Sequence, residues 1–213
     1  MVSKSNNIKE YLLPGGIILL AAGLRLFRLG YFSMWFDEAA SWHLAKMSIP
    51  RIVELATIDN TPPLYHILLH FWLKTGVNSD FMVKLPAVLF GILAVDMTYR
   101  LGIMLFDRKT ALAAAFIGAV SFTLIHYSQE NRMYSLQALL ALVSTCYFVK
   151  ALREGVIAYY IGWLAAGILM FYNHLFAVFL FGAQWLYLLV NLNFYRERLK
   201  KWLLFNLLLI AAG

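Results

Sequence analysis

The stretch Pro63 to Leu73, PLYHILLHFWL, decides how this chain is threaded. It is apolar throughout, yet it has only about half of the ~20 residues that a helix needs to cross a hydrocarbon layer. Longer apolar runs flank it: Tyr11 to Phe27, Leu85 to Phe106, Ala111 to Ile125, Leu136 to Ala151, Ile157 to Phe171 and Leu175 to Leu192. Another begins near Trp202 and is incomplete at Gly213, which implies the N-terminal part of something longer. Suppose that the short stretch does not cross. Then Lys4 and Lys9, the group Arg100, Arg108 and Lys109, the pair Lys150 and Arg153, and the cluster Arg196, Arg198, Lys200 and Lys201 all fall on one face. That is the positive-inside arrangement, with the N-terminus cytoplasmic. If it did cross, the first group would oppose the later three. We therefore read Pro63 to Leu73 as a helix lying in or dipping into the outer interface.

Composition supports a membrane solvent. Of 213 residues, 62% are hydrophobic and 14% charged, and the mean hydropathy is +0.71, whereas a soluble domain is roughly half apolar and a quarter charged. The net charge of +7 comes from 18 basic and 11 acidic residues. The basic ones gather in short loops between apolar runs, and no basic and aromatic surface stands outside them, so nucleic acid is not an expected partner. Cys146 is the single cysteine and lies in an apolar run, which excludes a disulfide framework and a thiolate metal cluster. Lys4 and Lys9 before an apolar stretch have the look of a secretory leader. No small-residue cleavage site precedes Arg25 and Arg28, so the first run reads as an uncleaved span.

The fold expected is therefore all-α: a polytopic transmembrane helix bundle, one membrane domain over residues 1–213, with a long first extracytoplasmic segment over residues 30–84. That segment holds five of the 11 acids. Within it Phe36, Ala40, Leu44 and Met47 follow helical spacing, which predicts an interfacial amphipathic helix ended by Pro50. The other outer segments are Tyr127 to Tyr134 and a turn around Asn173 and His174. All three share one face, so their polar groups can converge.

Three constellations carry chemistry. Asp37 and Glu38 follow the first span at once, where a carboxylate is costly to desolvate. The plain structural role for Asp37 is capping of the interfacial helix. Glu130 and Arg132, with Tyr134, form a polar knot between two long apolar runs; a solvated hairpin would also look like this, but an arginine at that depth is a good fork for lipid phosphate oxygens. Asp59 to His66 brings Tyr65 and His66 to the interface behind two stiffening prolines, and His174 stands at the outer end of a later span. Tyr65, His66 and His174 fit an interface whether or not they bind anything. His43, His70 and His126 are less informative. No Gly-rich phosphate loop, His-Glu-x-x-His helix or cysteine and histidine cluster occurs, so no metal ligands are assigned, although a divalent metal as cofactor stays open.

Taken in order, Phe36-Asp37-Glu38-Ala39, Pro62-Pro63-Leu64-Tyr65, Val83-Lys84-Leu85-Pro86-Ala87 and Ser128-Gln129-Glu130-Asn131-Arg132-Met133-Tyr134 make the chain resemble the glycosyltransferase 39 family, across roughly residues 15–190. That family includes protein O-mannosyltransferases and the aminoarabinose transferases of lipid A. The resemblance implies a membrane glycosyltransferase taking a sugar from a polyprenyl-phosphate carrier on the outer face of a bacterial or archaeal plasma membrane, and giving it to a lipid, glycan or protein acceptor. It implies Asp37 as the catalytic carboxylate, with Glu38 as a second catalytic acid lining the donor and acceptor site. Glu130 and Arg132 would line the donor and acceptor site, and Lys84 would join Arg132 at the departing phosphate. Relatives often carry His before the Pro-Pro pair, where this chain has Thr61, so no donor contact is carried over to that position.

The residues suit that chemistry. Displacing a phosphate from an anomeric carbon builds positive charge on the sugar and negative charge on the leaving group, as in glycosidases, so an acid and a cation are both needed. Two other classes fit the sequence less fully. A lipid or small-solute transporter would hide its ionisable residues near the bilayer midplane at broken helices, and a non-catalytic membrane subunit would need none of these groups.

Overall fold

The computed structural model describes residues 5–58, 61–77 and 79–212, the side chains of 5–10 excepted. Lys4, Asp59, Asn60 and Gly213 lie outside the described residues, as does the Lys9 side chain. The described residues are helical with no strand. In chain order the helices are α1 (Ser5–Leu26), α2 (Phe36–Ala45), α3 (Ile49–Ile58), α4 (Leu64–Leu73), α5 (Asp80–Leu105), α6 (Arg108–Val120), α7 (Phe122–Ser128), α8 (Tyr134–Glu154), α9 (Ile157–Phe171), α10 (Ala177–Val190), α11 (Leu192–Tyr195) and α12 (Leu199–Ala212). The chain is a helical membrane bundle.

α5 and α8 are each long and apolar enough to cross a bilayer alone. They pack along one another, with α1 and α6 against one side of α5 and α9 against α8. Close approach needs small residues: a Cβ on Gly102 of α5 would lie 2.7 Å from the Cα of Ala111 in α6, and one on Gly162 of α9 would lie 2.6 Å from the Tyr147 ring of α8. Behind α8 and α9 the core is aromatic, with the rings of Trp163 and Trp202 at 4.3 Å and Trp163 Nε1 donating to Gln184 Oε1 at 2.8 Å. Cys146 is buried in packing.

Two details correct the reading of the sequence. Ala111 to Ile125 is not one straight span: it breaks at Ser121 into α6 and α7, whose axes differ by 58°. Nor does Pro50 simply stop the interfacial helix. α2 ends at Ala45, and Pro50 sits in the first turn of α3, where its missing N–H costs no helix bond. The faces of α2 also depart from a plain apolar stripe turned inward. Glu38, Ser41 and Ala45 point in, while Phe36 is 83% exposed. Polar groups face protein here because the neighbouring loop supplies partners for them.

The two ends of the bundle are chemically distinct. At one end Arg153 Nη1 donates to Met104 O at 2.7 Å, and Lys201 Nζ to Gly155 O at 2.9 Å, which brings basic residues of α8 and α12 to the C-terminal ends of α5 and α8. At the other end, near the starts of α5 and α8, Leu64 N–H donates to Tyr172 O at 2.8 Å and Asn173 Nδ2 to Met133 O at 3.1 Å. The three outer segments expected from the sequence therefore meet at one end.

Candidate functional site

Helix α2 begins without a Ser, Thr or Asp cap. Trp35 stands at the N-cap, and its backbone N–H donates to Glu38 Oε2 at 3.3 Å. Glu38, not Asp37, thus reaches back over the helix start, the third-residue half of a capping box. Asp37 is one position earlier, so its side chain points about 100° away around the helix. Its carboxylate makes no hydrogen bond or ion pair with a described residue, and it is half-buried.

Glu38 is closed in. It is 2% exposed; Oε1 accepts from the backbone N–H of Asn131 at 2.6 Å, and Oε2 lies 3.3 Å from Lys84 Nζ. Lys84 also donates to Phe32 O at 3.4 Å. Asn131 completes the clasp: Nδ2 donates to Glu38 O at 3.2 Å, and Oδ1 accepts from Tyr65 OH at 3.0 Å. Four segments, the starts of α2, α4 and α5 and the loop before α8, are joined around one carboxylate.

Arg132, next along the loop, turns to the other side. Nη1 donates to Asp37 O at 3.3 Å and to Ser41 Oγ at 2.9 Å, while Nε has no partner among the described residues. With Ser41, Thr61 and His66 it lines a cavity of about 240 Å³ between α2, α3 and α4. His66 is buried, and its Nδ1 has no partner among the described residues. Burial, and then the charge of Arg132, hold its imidazole down to about 4, so it is neutral near pH 7. Burial likewise pushes the Tyr65 phenol up, with Glu38 adding to the effect.

Glu130 faces a second cavity of about 270 Å³, lined by Arg28, Trp35, Glu38, Lys84 and Gln129. Its Oε1 lies 3.1 Å from His126 Nε2, and its Oε2 is buried without a partner among the described residues. Burial raises its carboxyl above the usual range, and the Glu38 charge adds to this against His126, Arg132 and Lys84.

Seven of the residues singled out from the sequence thus share one end of the bundle: Asp37, Glu38, Tyr65, His66, Lys84, Glu130 and Arg132. Tyr134 and His174 stand next door. The Arg132 guanidinium is 5.9 Å from the Tyr134 ring, which is 6.1 Å from the His174 ring, and both rings border an open, largely apolar groove of about 620 Å³ with Tyr127, Met170 and Leu180. Burial, then Arg132, lowers the pKa of His174. Sequence reasoning gave no role to Asn131 or Ser41. Ser41 carried one signal, its place four residues after Asp37 on the same helix face. Among the described residues no group of three or more His, Cys, Asp or Glu side chains is placed to hold a metal ion.

The family model described as dolichyl-phosphate-mannose-protein mannosyltransferase matches residues 60–212. That range takes in Tyr65, His66, Lys84, Glu130, Arg132, Tyr134 and His174 and begins after Asp37 and Glu38. No curated protein and no solved structure matches the chain.

Proposed function

The chain belongs to the dolichyl-phosphate-mannose-protein mannosyltransferase family, and from that premise we propose that it moves a sugar from a polyprenyl-phosphate carrier to an acceptor on the extracytoplasmic face. The family makes it a membrane glycosyltransferase, mannosyltransferase-like, with a lipid-linked sugar donor in general terms. The carrier, the roles of single residues and the side of the membrane are our reading.

One observation carries it. The Arg132 guanidinium is anchored on the first turns of α2 by the backbone carbonyl of Asp37 and by Ser41, the Asp37 carboxylate has no partner among the described residues, and the neighbouring acid, Glu38, is held by Lys84 and Asn131. An unpaired acid and a cation without a carboxylate partner therefore belong to the same helix start, and the acid that fixes the loop, Glu38, is separate from both.

In the reaction, the acceptor nucleophile attacks the anomeric carbon and the bond from that carbon to the phosphate oxygen breaks. The electron pair leaves with the polyprenyl phosphate, and the nucleophile's proton passes to Asp37. General-base help of this kind contributes about 10²- to 10⁴-fold. Arg132 meets the charge growing on the phosphate from a site partly screened from water. Lys84, balanced by Glu38, contributes mainly by holding the site in shape. Glu130, with an unpartnered oxygen beside Trp35, is suited to sugar hydroxyls, and Tyr134 and His174 border the groove through which the lipid approaches. We place residues 30–84 outside the cytoplasm and the basic end inside, in a single membrane domain of a bacterial or archaeal plasma membrane.

The direct test is transfer of a labelled sugar from defined polyprenyl-phosphate donors by the full-length protein. Donor that is neither transferred nor hydrolysed, in membranes that hold folded protein, sinks the proposal.

A further inference from the structure

Arg25 lies one residue from the end of α1 and is 1% exposed, deeper than any other cation among the described residues. A buried charge is ordinarily paired with an opposite one, because its desolvation is expensive. Arg25 makes no ion pair with a described acid. Its guanidinium is held by carbonyls instead: Nη1 donates to Ala21 O at 3.3 Å and Ala119 O at 3.1 Å, and Nη2 to Gly118 O at 3.1 Å.

Those carbonyls explain the charge. Gly118 and Ala119 belong to the last turn of α6, whose acceptors lost their helical donors when the span broke at Ser121. A helix C-terminus carries roughly half a negative charge. The guanidinium sits at the C-terminal ends of α6 and α1 together, so two helix ends supply about one negative charge between them. No anion is then required, and none is invited.

The remaining bond points toward the site. Arg25 Nε donates to Ser128 Oγ at 3.2 Å, and the Ser128 hydroxyl donates to Leu124 O at 2.6 Å. Gly91 makes room for this: any side chain there would strike Ser128 Oγ. The next residue is tied to the same place, since Gln129 Nε2 donates to Arg25 O at 3.0 Å and to Phe27 O at 2.9 Å. Two and three residues beyond Gln129 come Asn131 and Arg132, the groups that clasp Glu38 and reach Asp37 O and Ser41.

We infer that Arg25 is a positioning residue for transfer: by occupying the broken end of α6 and gripping Ser128, it sets where Asn131 and Arg132 stand against the first turn of α2. The kinetic part of this rests on the proposed function; the structural part does not.

Three variants of the full chain in nanodiscs test it. Arg25→Lys keeps the charge, but an ammonium cannot reach the α6 carbonyls and Ser128 with the same fork. Ser128→Ala leaves the carbonyl bonds of Arg25 and the Gln129 bonds intact and removes the Arg25 Nε link together with the Ser128 bonds to Leu124 O and Ser135 Oγ, so it decides the matter should Arg25→Lys fail to insert. Thr98→Ala borders the same cavity outside the link and serves as control.

The first readout is hydrogen exchange of the Asn131 amide, which needs no activity. Exchange should rise about tenfold or more in Arg25→Lys and Ser128→Ala, with α9 and the Thr98→Ala protein unchanged. The second uses polyprenyl-phosphate mannose as probe. Ser128→Ala should lower kcat about tenfold while donor KM moves less than about twofold, because a displacement on the order of 1 Å at the reacting groups is enough. Combined with Arg132→Lys it should add little, since both act along one path. Unchanged Asn131 exchange in both variants overturns the inference, as does loosening spread evenly over the chain or full additivity with Arg132→Lys. If the wild-type protein leaves every donor untouched, the proposed function falls, and the exchange experiment still decides the role of Arg25.

Discussion

The backbone N–H of Asn131 donates to Oε1 of Glu38 at 2.6 Å across 93 positions of chain, and on the opposite oxygen of that carboxylate stands Lys84 at 3.3 Å. Both partners of the ion pair are buried. Removing one member of such a pair leaves the other charged and dry, at a cost of about 3 to 5 kcal/mol. We expect Glu38→Ala to lower the melting temperature of the purified protein sharply. Adding Lys84→Met to it should recover much of the loss. If Glu38→Ala melts like wild type, the clasp does not hold the site together.

Asp37 behaves oppositely because no described residue bonds its carboxylate. Asp37→Asn should leave expression and insertion unchanged and the unfolding free energy within about 0.5 kcal/mol of wild type, the usual range of a change away from such features. Transfer from polyprenyl-phosphate mannose should fall about 10²- to 10⁴-fold. Near wild-type turnover would remove Asp37 from the chemistry.

His66 predicts an acid limb. Its folded pKa is lowered from 6.5 to about 4, mainly by burial, so between those values the unfolded chain binds the extra proton. Stability from this group is complete above about pH 6.5 and drains away as pH falls toward 4, by on the order of 3 kcal/mol in all. Urea melts of wild type and His66→Gln at pH 7 and pH 4.5 measure it. The loss between the two pH values should be smaller in the variant; equal losses would show that His66 is not the group responsible.

Topology supplies the last prediction. With Cys146 replaced by Ala, single cysteines at Ser33 and Tyr127 should both react with an impermeant maleimide from outside the cell, and one at Lys109 should react only after permeabilisation. Labels for Ser33 and Tyr127 on opposite sides would dismantle the site.

Much of the bundle was legible in the sequence because apolar runs between polar punctuation mark helices in lipid directly; Ile157 to Phe171 coincides with α9 residue for residue. The clustering of basic groups at one end was legible for the same reason. The break at Ser121 was not. Neither proline nor glycine stands at that position, and the bonds that stabilise the bend come from Arg25, more than ninety residues earlier.

The site was half legible. The motifs identified which residues gather, but not which of two adjacent acids faces inward. Asp37 and Glu38 differ by about 100° of helix rotation, and only the arrival of Asn131 and Lys84 on one side assigns Glu38 to structure and leaves Asp37 open. A role for Asn131 was invisible because it depends on Tyr65 and Glu38 meeting it from two other segments.

The bend between α6 and α7 also says something about biogenesis. Bare carbonyls in hydrocarbon cost several kcal/mol each, so a nascent α6 segment entering the bilayer by itself favours an unbroken rod through Ser121. The hinge belongs to the assembled protein: it becomes affordable only when α1 docks and lends its guanidinium. The ordering of the loop before α8 is thereby tied to the docking of the first helix.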